Sequence, residues 1–441
     1  MSDVQPFGAA ADLEASIPLD PERGLRGAAG RELVEHVLSL IAARESRARA
    51  LSQDAARQRS RTVEALLSNV VVAALNRVNP DRYVAVPFNR SAYPKLSLSY
   101  DAMVLARDAL IASDLIEYHP GIYNRHFIDF MEFKRVSRIR AKAGLRELFD
   151  DFDVRRWSVA HTREQLIRLN KAERNAGPEP ECVSKSRPLL SRINARIEAS
   201  DIDLTNEGWG IVAERRKQKA REDDPYAAFE GDVTAKSLRR VFTGNWNRGG
   251  RLYGGWWQSV DRDARRHLIM DGEPTVEIDF GHIHPVLLYH ALGKRLDRDP
   301  YQLPPYSRDL CKETFQRLIN RDAYRGGADI KRPAKFKPPA HIPYSTFLAD
   351  YKRHLSAVAD CFGKSVGLIL QWEDSDLALA ILDAMDRAAV ATLPIHDSFI
   401  VKLDHRDVLE RTMREVYWCR YQLHPELKTI PPAISGSPGT P

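Results

Sequence analysis

Two acidic residues lie inside apolar runs of the sequence. Because such runs are expected to be buried, these residues are not ordinary surface charges. Residues 395–401 form an apolar run that is broken by His396 and Asp397 and then resumes, which predicts a buried hairpin with Asp397 at its tip. Residues 276–281 have the pattern of a core strand that carries Asp279 near its end. Two acidic side chains on two core strands are what a phosphoryl-transfer site with two metal ions requires.

The elements between these carboxylates carry polar side chains that could assist them. Asp279 stands just ahead of a helix that His284 and Pro285 begin. A second helix is predicted at residues 308–320, where polar side chains recur every four residues, so that neighbours share one face. They are Arg308, Lys312, Gln316 and Asn320. A long amphipathic helix then begins at Gln371 and leads directly into the hairpin.

These motifs, in this order, resemble those of the family A DNA polymerases and the phage-type single-subunit RNA polymerases. The first motif of that superfamily is an Asp at a strand end followed by a helix, which Asp279 resembles. The second is a helix with Arg and then Lys four residues later, as at Arg308 and Lys312. The third is a His-Asp hairpin followed by Glu or Ser. The match there is His396-Asp397-Ser398, with the Ser version that is typical of the RNA polymerase branch.

The resemblance covers about residues 240–405 and implies both a fold and an activity. The implied fold class is α+β: a polymerase-like right hand with a small antiparallel palm sheet and helical fingers and thumb. The implied activity is template-directed nucleotidyl transfer with two Mg²⁺ ions, or Mn²⁺ in their place, on Asp279 and Asp397. Arg308 and Lys312 would bind the β- and γ-phosphates of a nucleoside triphosphate. The remaining contacts with nucleotide or primer–template DNA would come from Gly250, Arg251, His284, Gln316, Asn320, Gln371, His396 and Ser398.

The chain also departs from that superfamily. The DNA polymerases have Glu where His284 stands and a Tyr-Gly pair where Asn320 and Arg321 stand, so deoxy- versus ribonucleotide preference stays open. The two aspartates are 397 − 279 = 118 positions apart, which leaves room only for reduced fingers. A Gly-rich segment, residues 244–258, predicts a hairpin near the primer–template, with Arg251 meeting phosphates and Trp257 in the core.

Residues outside this region predict further domains. We expect a disordered tail at 1–28, helices at 29–94, a winged-helix-like DNA-binding unit at 95–150 and a connecting or thumb-like region at 151–235, with one strand at 210–212. The palm and reduced fingers would follow at 236–430 and a second disordered tail at 431–441. In the winged-helix-like unit, helix, strand, turn and basic strand follow one another, which predicts a wing that binds DNA. The wing residues are Arg135, Arg138 and Arg140.

Composition narrows the class of protein. The 441 residues are 43% hydrophobic and 29% charged with a net charge of +6, and no apolar run approaches the ~20 residues that span a bilayer. The basic residues cluster at 44–61, 134–146 and 215–221, which favours a polyanionic partner. The four cysteines are scattered without a CxxC pair, which argues against zinc ribbons and is typical of a cytoplasmic protein.

Two alternatives remain at the level of sequence. In the first, His282, His284 and His396 join Asp279 in a mononuclear metal site for hydrolysis, since HxH plus a carboxylate is a legitimate ligand set. In the second, the protein is a replication-initiator-like or regulatory DNA-binding protein whose polymerase-like domain is inactive. Glu277 is a candidate accessory carboxylate under the polymerase hypothesis.

Overall fold

The structure is a computed structural model that describes Leu13 and residues 16–45, 50–77, 80–125, 132–161, 165–221, 232–321, 337–339 and 341–433. It has two compact units, each built from two stretches of chain. Unit 1 comprises Met1–Glu164 and Trp209–Lys236, and unit 2 comprises Gln165–Gly208 and Ser237–Pro441. Helices and small sheets are mixed in both units, so the predicted α+β class is confirmed.

The described ranges contain α-helices that we number in chain order. They are α1 (Gly27–Ala42), α2 (Gln53–Ala74), α3 (Tyr93–Leu96), α4 (Tyr100–Ala112), α5 (Ala143–Asp151), α6 (Glu181–Ser184), α7 (Ser186–Ala199), α8 (Asn206–Arg221), α9 (Arg262–Arg265), α10 (Ile283–Ala291), α11 (Arg308–Asn320), α12 (Tyr344–His354), α13 (Gly367–Arg387) and α14 (Arg406–Tyr421). None of these helices is long and apolar enough to cross a membrane.

The strands of the same ranges are numbered likewise. They are β1 (Ile17–Pro18), β2 (Arg23–Leu25), β3 (Val84–Val86), β4 (Ile116–His119), β5 (Ile122–Arg125), β6 (Glu132–Arg135), β7 (Ser137–Ala141), β8 (Val159–His161), β9 (Ile167–Asn170), β10 (Ile202–Leu204), β11 (Arg239–Thr243), β12 (Asn245–Tyr253), β13 (Leu268–Met270), β14 (Glu273–Phe280), β15 (Leu393–Ile395), β16 (Ser398–Lys402) and β17 (Leu427–Ile430).

Unit 1 packs α1, α2 and α4 against a sheet with the strand order β1-β3-β7-β4. Two residues of the predicted N-terminal tail, Ile17 and Leu25, are buried in this core, so the expectation of disorder through residue 28 is wrong for β1 and β2. Residues 95–150 do contain the predicted helix, strand and basic strand, but as parts of this larger sheet. Residues 1–12 and 434–441 of the predicted tails lie outside the described residues.

Unit 2 is organised by a sheet with the strand order β10-β13-β14-β16-β15, in which β17 also pairs with β14. A second sheet, β12-β11-β9, carries the Gly-rich segment. Because β9 and β10 pair with β11 and β13, part of the predicted connecting region belongs to the C-terminal unit. Residues 210–212, predicted as a strand, are helical within α8, where Trp209 and Val212 share a buried face.

The Gly-rich segment is held against the hairpin by Trp257, which is fully buried, as the sequence predicted. Its indole Nε1 donates a hydrogen bond to the Pro394 carbonyl at 3.0 Å, next to the tip of the β15–β16 hairpin. A side chain at Gly255 would overlap the indole ring, so Gly is required there for close packing. Trp257 therefore ties the segment after β12 to the β15–β16 hairpin, whose turn contains the second carboxylate.

We predict that Trp257→Phe lowers the free energy of unfolding by about 1–3 kcal/mol, because it removes the buried hydrogen bond and leaves a cavity. Trp157→Phe is the matched control, since Trp157 is 74% exposed, and should change it by less than about 0.5 kcal/mol. Urea unfolding followed by far-ultraviolet circular dichroism measures both. Equal effects of the two substitutions would contradict this assignment.

Candidate active site

The pairing of β14 with β16 brings the two sequence-predicted aspartates to the same end of the sheet. Asp279 is the register partner of Ser398, and the Phe280 amide donates a hydrogen bond to the Asp397 carbonyl at 3.2 Å. Apolar side chains of both strands are buried beneath them, including Ile278 and Phe399. The alternation of the strand thus places Asp279 on the face opposite Ile278, where it is partly exposed.

Each aspartate is adjacent to a turn that contains a histidine with left-handed backbone. His396 has φ 56° and occupies the first position of the two-residue turn between Ile395 and Ser398. His282 has φ 39° and immediately precedes α10. Non-glycine residues in this region are uncommon and cost about 1 kcal/mol or more, and they concentrate at functional sites.

Asp279 carries the charge that the protein neutralises least. Burial raises its pKa to about 7, and repulsion from Asp397 and then Glu277 adds to the shift, while Lys312 and Arg262 oppose it. A carboxylate whose negative neighbours outweigh its positive ones favours a proton or a metal cation.

Glu277 has partners within the protein, so the structure does not present it as an accessory ligand. Arg265 donates to both of its oxygens, at 3.2 and 3.3 Å, and the Ser398 hydroxyl donates to Oε1 at 2.8 Å. These contacts also engage Ser398, which is buried. The expectation that Ser398 contacts nucleotide or primer is therefore corrected: its hydroxyl crosslinks β16 to β14.

A buried ionic cluster lies beside the hairpin. The guanidinium of Arg251 donates through Nε to both oxygens of Asp374, at 3.1 Å each, and also pairs through Nη2. The Nε2 of His284 lies 2.7 Å from Asp374 Oδ2 and donates to it, since a carboxylate can only accept. The sequence analysis missed Asp374. Its signal was a charge on the buried face of α13, three residues before Leu377.

The ionic cluster extends to the β15–β16 hairpin. Burial lowers the pKa of Arg251, but hydrogen bonds and charge from Asp374, and then the charge of Asp397, raise it above the usual value. Burial, and then the charge of Arg251, lower the pKa of His396, whose ring packs edge-on against Tyr253 with centroids 5.3 Å apart. Arg251 is thus placed next to Asp397 and His396, as the hypothesis requires.

Helix α11 carries the two predicted cations, and the charge of one of them, Lys312, acts on Asp279. Lys312 is exposed, and its charge lowers the pKa of Asp279. Arg308 is half-exposed, donates to Asp299 at 2.8 Å and lies over the Tyr301 ring. The helix begins where the Ser307 hydroxyl accepts from the Leu310 amide, so its position in the sequence follows from a standard cap.

Several other predicted contact residues have structural roles. Gly250 has φ 82°, and a side chain there would meet Phe242 and Ser375, so the glycine permits close packing against α13. Asn320 lies against Gly367 at the start of α13, and its Nδ2 donates to the Gln316 carbonyl. Gln371 is half-buried on α13, three residues before the buried Asp374.

The predicted wing also has internal partners. Arg138 is buried and donates to the carbonyls of Leu13 and Val136. Arg140 pairs with Glu117 and stacks over a tyrosine ring. These two side chains are therefore not the free DNA contacts that the sequence predicted, and a role for Arg135 in DNA binding stays a prediction.

The carboxylate pair fits Mg²⁺ better than a histidine site. Oxygen ligands suit Mg²⁺, which protein sites bind through one or two carboxylates together with substrate phosphates and water. Among the described residues, no group of three or more His, Cys, Asp or Glu could by itself hold a metal ion. The structure gives the alternative of a mononuclear histidine site no support among these residues, since His284 is bound to Asp374 and His282 lies 3.6 Å from Glu426.

A cavity of about 470 Å³ adjoins the turn after Asp279 but is a separate feature. Its lining includes Phe280, His282, Lys294 and Trp418 and neither carboxylate. The candidate site is consequently the face that carries Asp279 and Asp397, with Lys312 opposite.

Comparisons with known proteins add little to this geometry. No family model matches the chain, and no curated protein matches it. Among solved structures, it is similar to the POL domain of Pol1 from M. smegmatis in complex with DNA primer-template and dNTP. That similarity has 12% identity and a TM-score of 0.31, and it covers 95% of this chain and 67% of that chain. A likeness this low carries no functional weight, so function is inferred from the site alone.

The pKa of Asp279 predicts how stability depends on pH. Because burial raises this pKa from 3.8 to about 7, the unfolded chain loses the proton first, and the contribution of Asp279 to stability falls as the pH rises from about 4 to 7. Asp279→Asn has no carboxyl group to titrate. The free energy of unfolding of this variant, relative to that of the wild type, should therefore rise across this window by up to about 1.4 kcal/mol per pH unit.

Urea unfolding at pH 4.5, 6 and 7.5 in the presence of a chelator measures this difference. Asp360→Asn changes an exposed carboxylate, and its free energy of unfolding should differ from that of the wild type by the same amount at all three pH values. A flat difference for Asp279→Asn as well would show that the Asp279 carboxylate is not in a repulsive, buried environment.

Proposed function

We propose that this chain is a template-directed nucleotidyltransferase, a nucleic-acid polymerase or primase-polymerase. The observation that carries the proposal is the pairing of β14 with β16, which brings Asp279, near the end of β14, next to the turn that contains Asp397. Neither carboxylate has a hydrogen bond from a cationic side chain among the described residues, whereas Glu277 and Asp374 nearby both do. Two neighbouring carboxylates without such a bond favour cation binding at this place.

Asp279 and Asp397 would hold two Mg²⁺ ions, or Mn²⁺ in their place. Such ions, about 3.5–4 Å apart, activate a primer 3′-hydroxyl and neutralise the leaving pyrophosphate. The protein's own part is placement and charge stabilisation. Lys312 faces the carboxylates and would bind the triphosphate, and Arg308 would bind it after leaving Asp299.

The primer–template would lie along the hairpin side of the site. His396 and the exposed Tyr253 form one ring pair there, and Arg251 lies behind them with its charge already balanced by Asp374. We assign His396 and Arg251 to the primer end, and His284 to the sugar of the incoming nucleotide. The contacts of Gln316 and Gln371 with nucleotide or template remain part of the proposal.

The alternative of a non-catalytic DNA-binding protein is less well supported. It would leave a destabilising carboxylate pair in a buried sheet without a role, since burial and like charge both act against Asp279. It would also depend on the basic strand of unit 1, where Arg138 and Arg140 are engaged internally.

Primer extension tests the proposal. The wild type should extend a labelled primer on a template in Mg²⁺, with deoxy- and ribonucleotides assayed in parallel to determine the sugar preference. Asp397→Asn and Asp279→Asn should each lower the rate by about 10²–10³-fold or more, because each removes charge that stabilises the transition state. Asp360→Asn should extend like wild type. No extension by the wild type, together with equal DNA binding by wild type and Asp397→Asn, would favour the non-catalytic alternative.

A second prediction concerns the triphosphate. Lys312→Met should raise the KM for nucleotide about tenfold or more, since it removes a charge-assisted contact worth roughly 1.5–3 kcal/mol. Lys352→Met, which changes a lysine in the last turn of α12, is the control and should leave KM unchanged. Steady-state kinetics at fixed primer–template gives both values, and an unchanged KM for Lys312→Met would remove α11 from the site.

A further inference from the structure

Asp374 is a carboxylate of the site region that the proposed chemistry does not use directly. Asp374 is only 2% exposed and lies on the buried face of helix α13. Both of its oxygens accept from Arg251, and Oδ2 also accepts from His284. A buried charge with this many donors is fully compensated, in contrast to Asp279.

The turn that carries Asp374 is anchored independently of it. Glu373 accepts from Arg420 and from the Tyr421 hydroxyl, both at 2.9 Å. Asp376 pairs with Arg240 and Arg420. Because these contacts position α13 against β11 and α14, neutralising Asp374 would leave the helix in place and change chiefly what Arg251 and His284 do.

The hydrogen bonds between Arg251 and Asp374 keep Arg251 from pairing with Asp397, the proposed metal ligand. Its Nε and Nη2 are both directed at Asp374, while the charge of Asp397 is close enough to affect its pKa. A guanidinium released from Asp374 would pair with Asp397, the other carboxylate whose charge acts on it, since Arg binds carboxylates readily through two nitrogens. Such a pair would compete with Mg²⁺ for the same oxygens.

We propose that Asp374 is a positioning residue that holds Arg251 and His284 against α13 and thereby keeps Asp397 free to bind metal. The inference rests on the proposed function, because it assumes that Asp397 is a metal ligand. It assigns to Asp374 an effect on metal affinity that is transmitted through Arg251.

The test is Mn²⁺ binding to the full chain, measured by electron paramagnetic resonance without substrate. The matched control is Asp386→Asn on the same helix. Asp386 is also largely buried and paired with two arginines, Arg192 and Arg196, but it lies twelve residues, about 18 Å of helix, from Asp374. Asp374→Asn should weaken Mn²⁺ binding about tenfold or more and Asp386→Asn should not, although both variants lose ion pairs with arginine.

The double variant separates positioning from general damage. If Asp374 acts by restraining Arg251, then Asp374→Asn in an Arg251→Gln background should have little further effect on Mn²⁺ affinity, which is the non-additivity expected of coupled residues. Additive losses, or equal losses in Asp374→Asn and Asp386→Asn, would overturn the inference while primer extension by the wild type still supported the proposed function. Absence of Mn²⁺ binding by the wild type would overturn both.

Discussion

The register between β14 and β16 is the constraint on which the site depends. Asp279 is paired with Ser398, and the Phe280 amide donates a hydrogen bond to the Asp397 carbonyl, so both acidic residues lie at one end of the sheet. A slip of one residue would turn every side chain of a strand to its opposite face and would place Asp279 in the core. The buried Ile278, Phe399 and Val401, together with the Ser398–Glu277 hydrogen bond, specify the observed pairing.

The acidic residues of unit 2 differ in how many hydrogen-bond donors and cations surround each carboxylate. Glu277 and Asp374 are each bound by an arginine and a second donor, and they fix neighbouring elements. Asp279 is buried and is repelled by two carboxylates, and the charges of Lys312 and Arg262 oppose that repulsion only in part. The same residue types therefore serve as structural crosslinks at two positions and, in the proposed function, bind a cation at a third, and the number of hydrogen-bond donors around each distinguishes these roles.

The sequence predicted those parts of the site that local patterns determine. The helix at 308–320, the hairpin tip at Asp397 and the strand ending at Asp279 follow from periodicity, caps and turn residues, and the structure contains all three. The errors concern side chains whose partners are distant in sequence. Ser398 was predicted to contact a ligand, since its hydrogen bond to Glu277 joins residues 121 positions apart and leaves no local pattern. Asp374 was overlooked for the same reason, because its partners Arg251 and His284 come from other elements. No local pattern reveals such pairs, although a charge on a buried helical face is a usable signal.

The central claim is that Asp279 and Asp397 jointly bind divalent metal, and anomalous diffraction from crystals grown with Mn²⁺ and a non-hydrolysable nucleoside triphosphate tests it most directly. We predict Mn²⁺ peaks about 3.5–4 Å apart between these two carboxylates, with oxygens of both at bonding distance. Peaks bound by only one aspartate, or located away from the β14–β16 edge while nucleotide is present, would contradict the account.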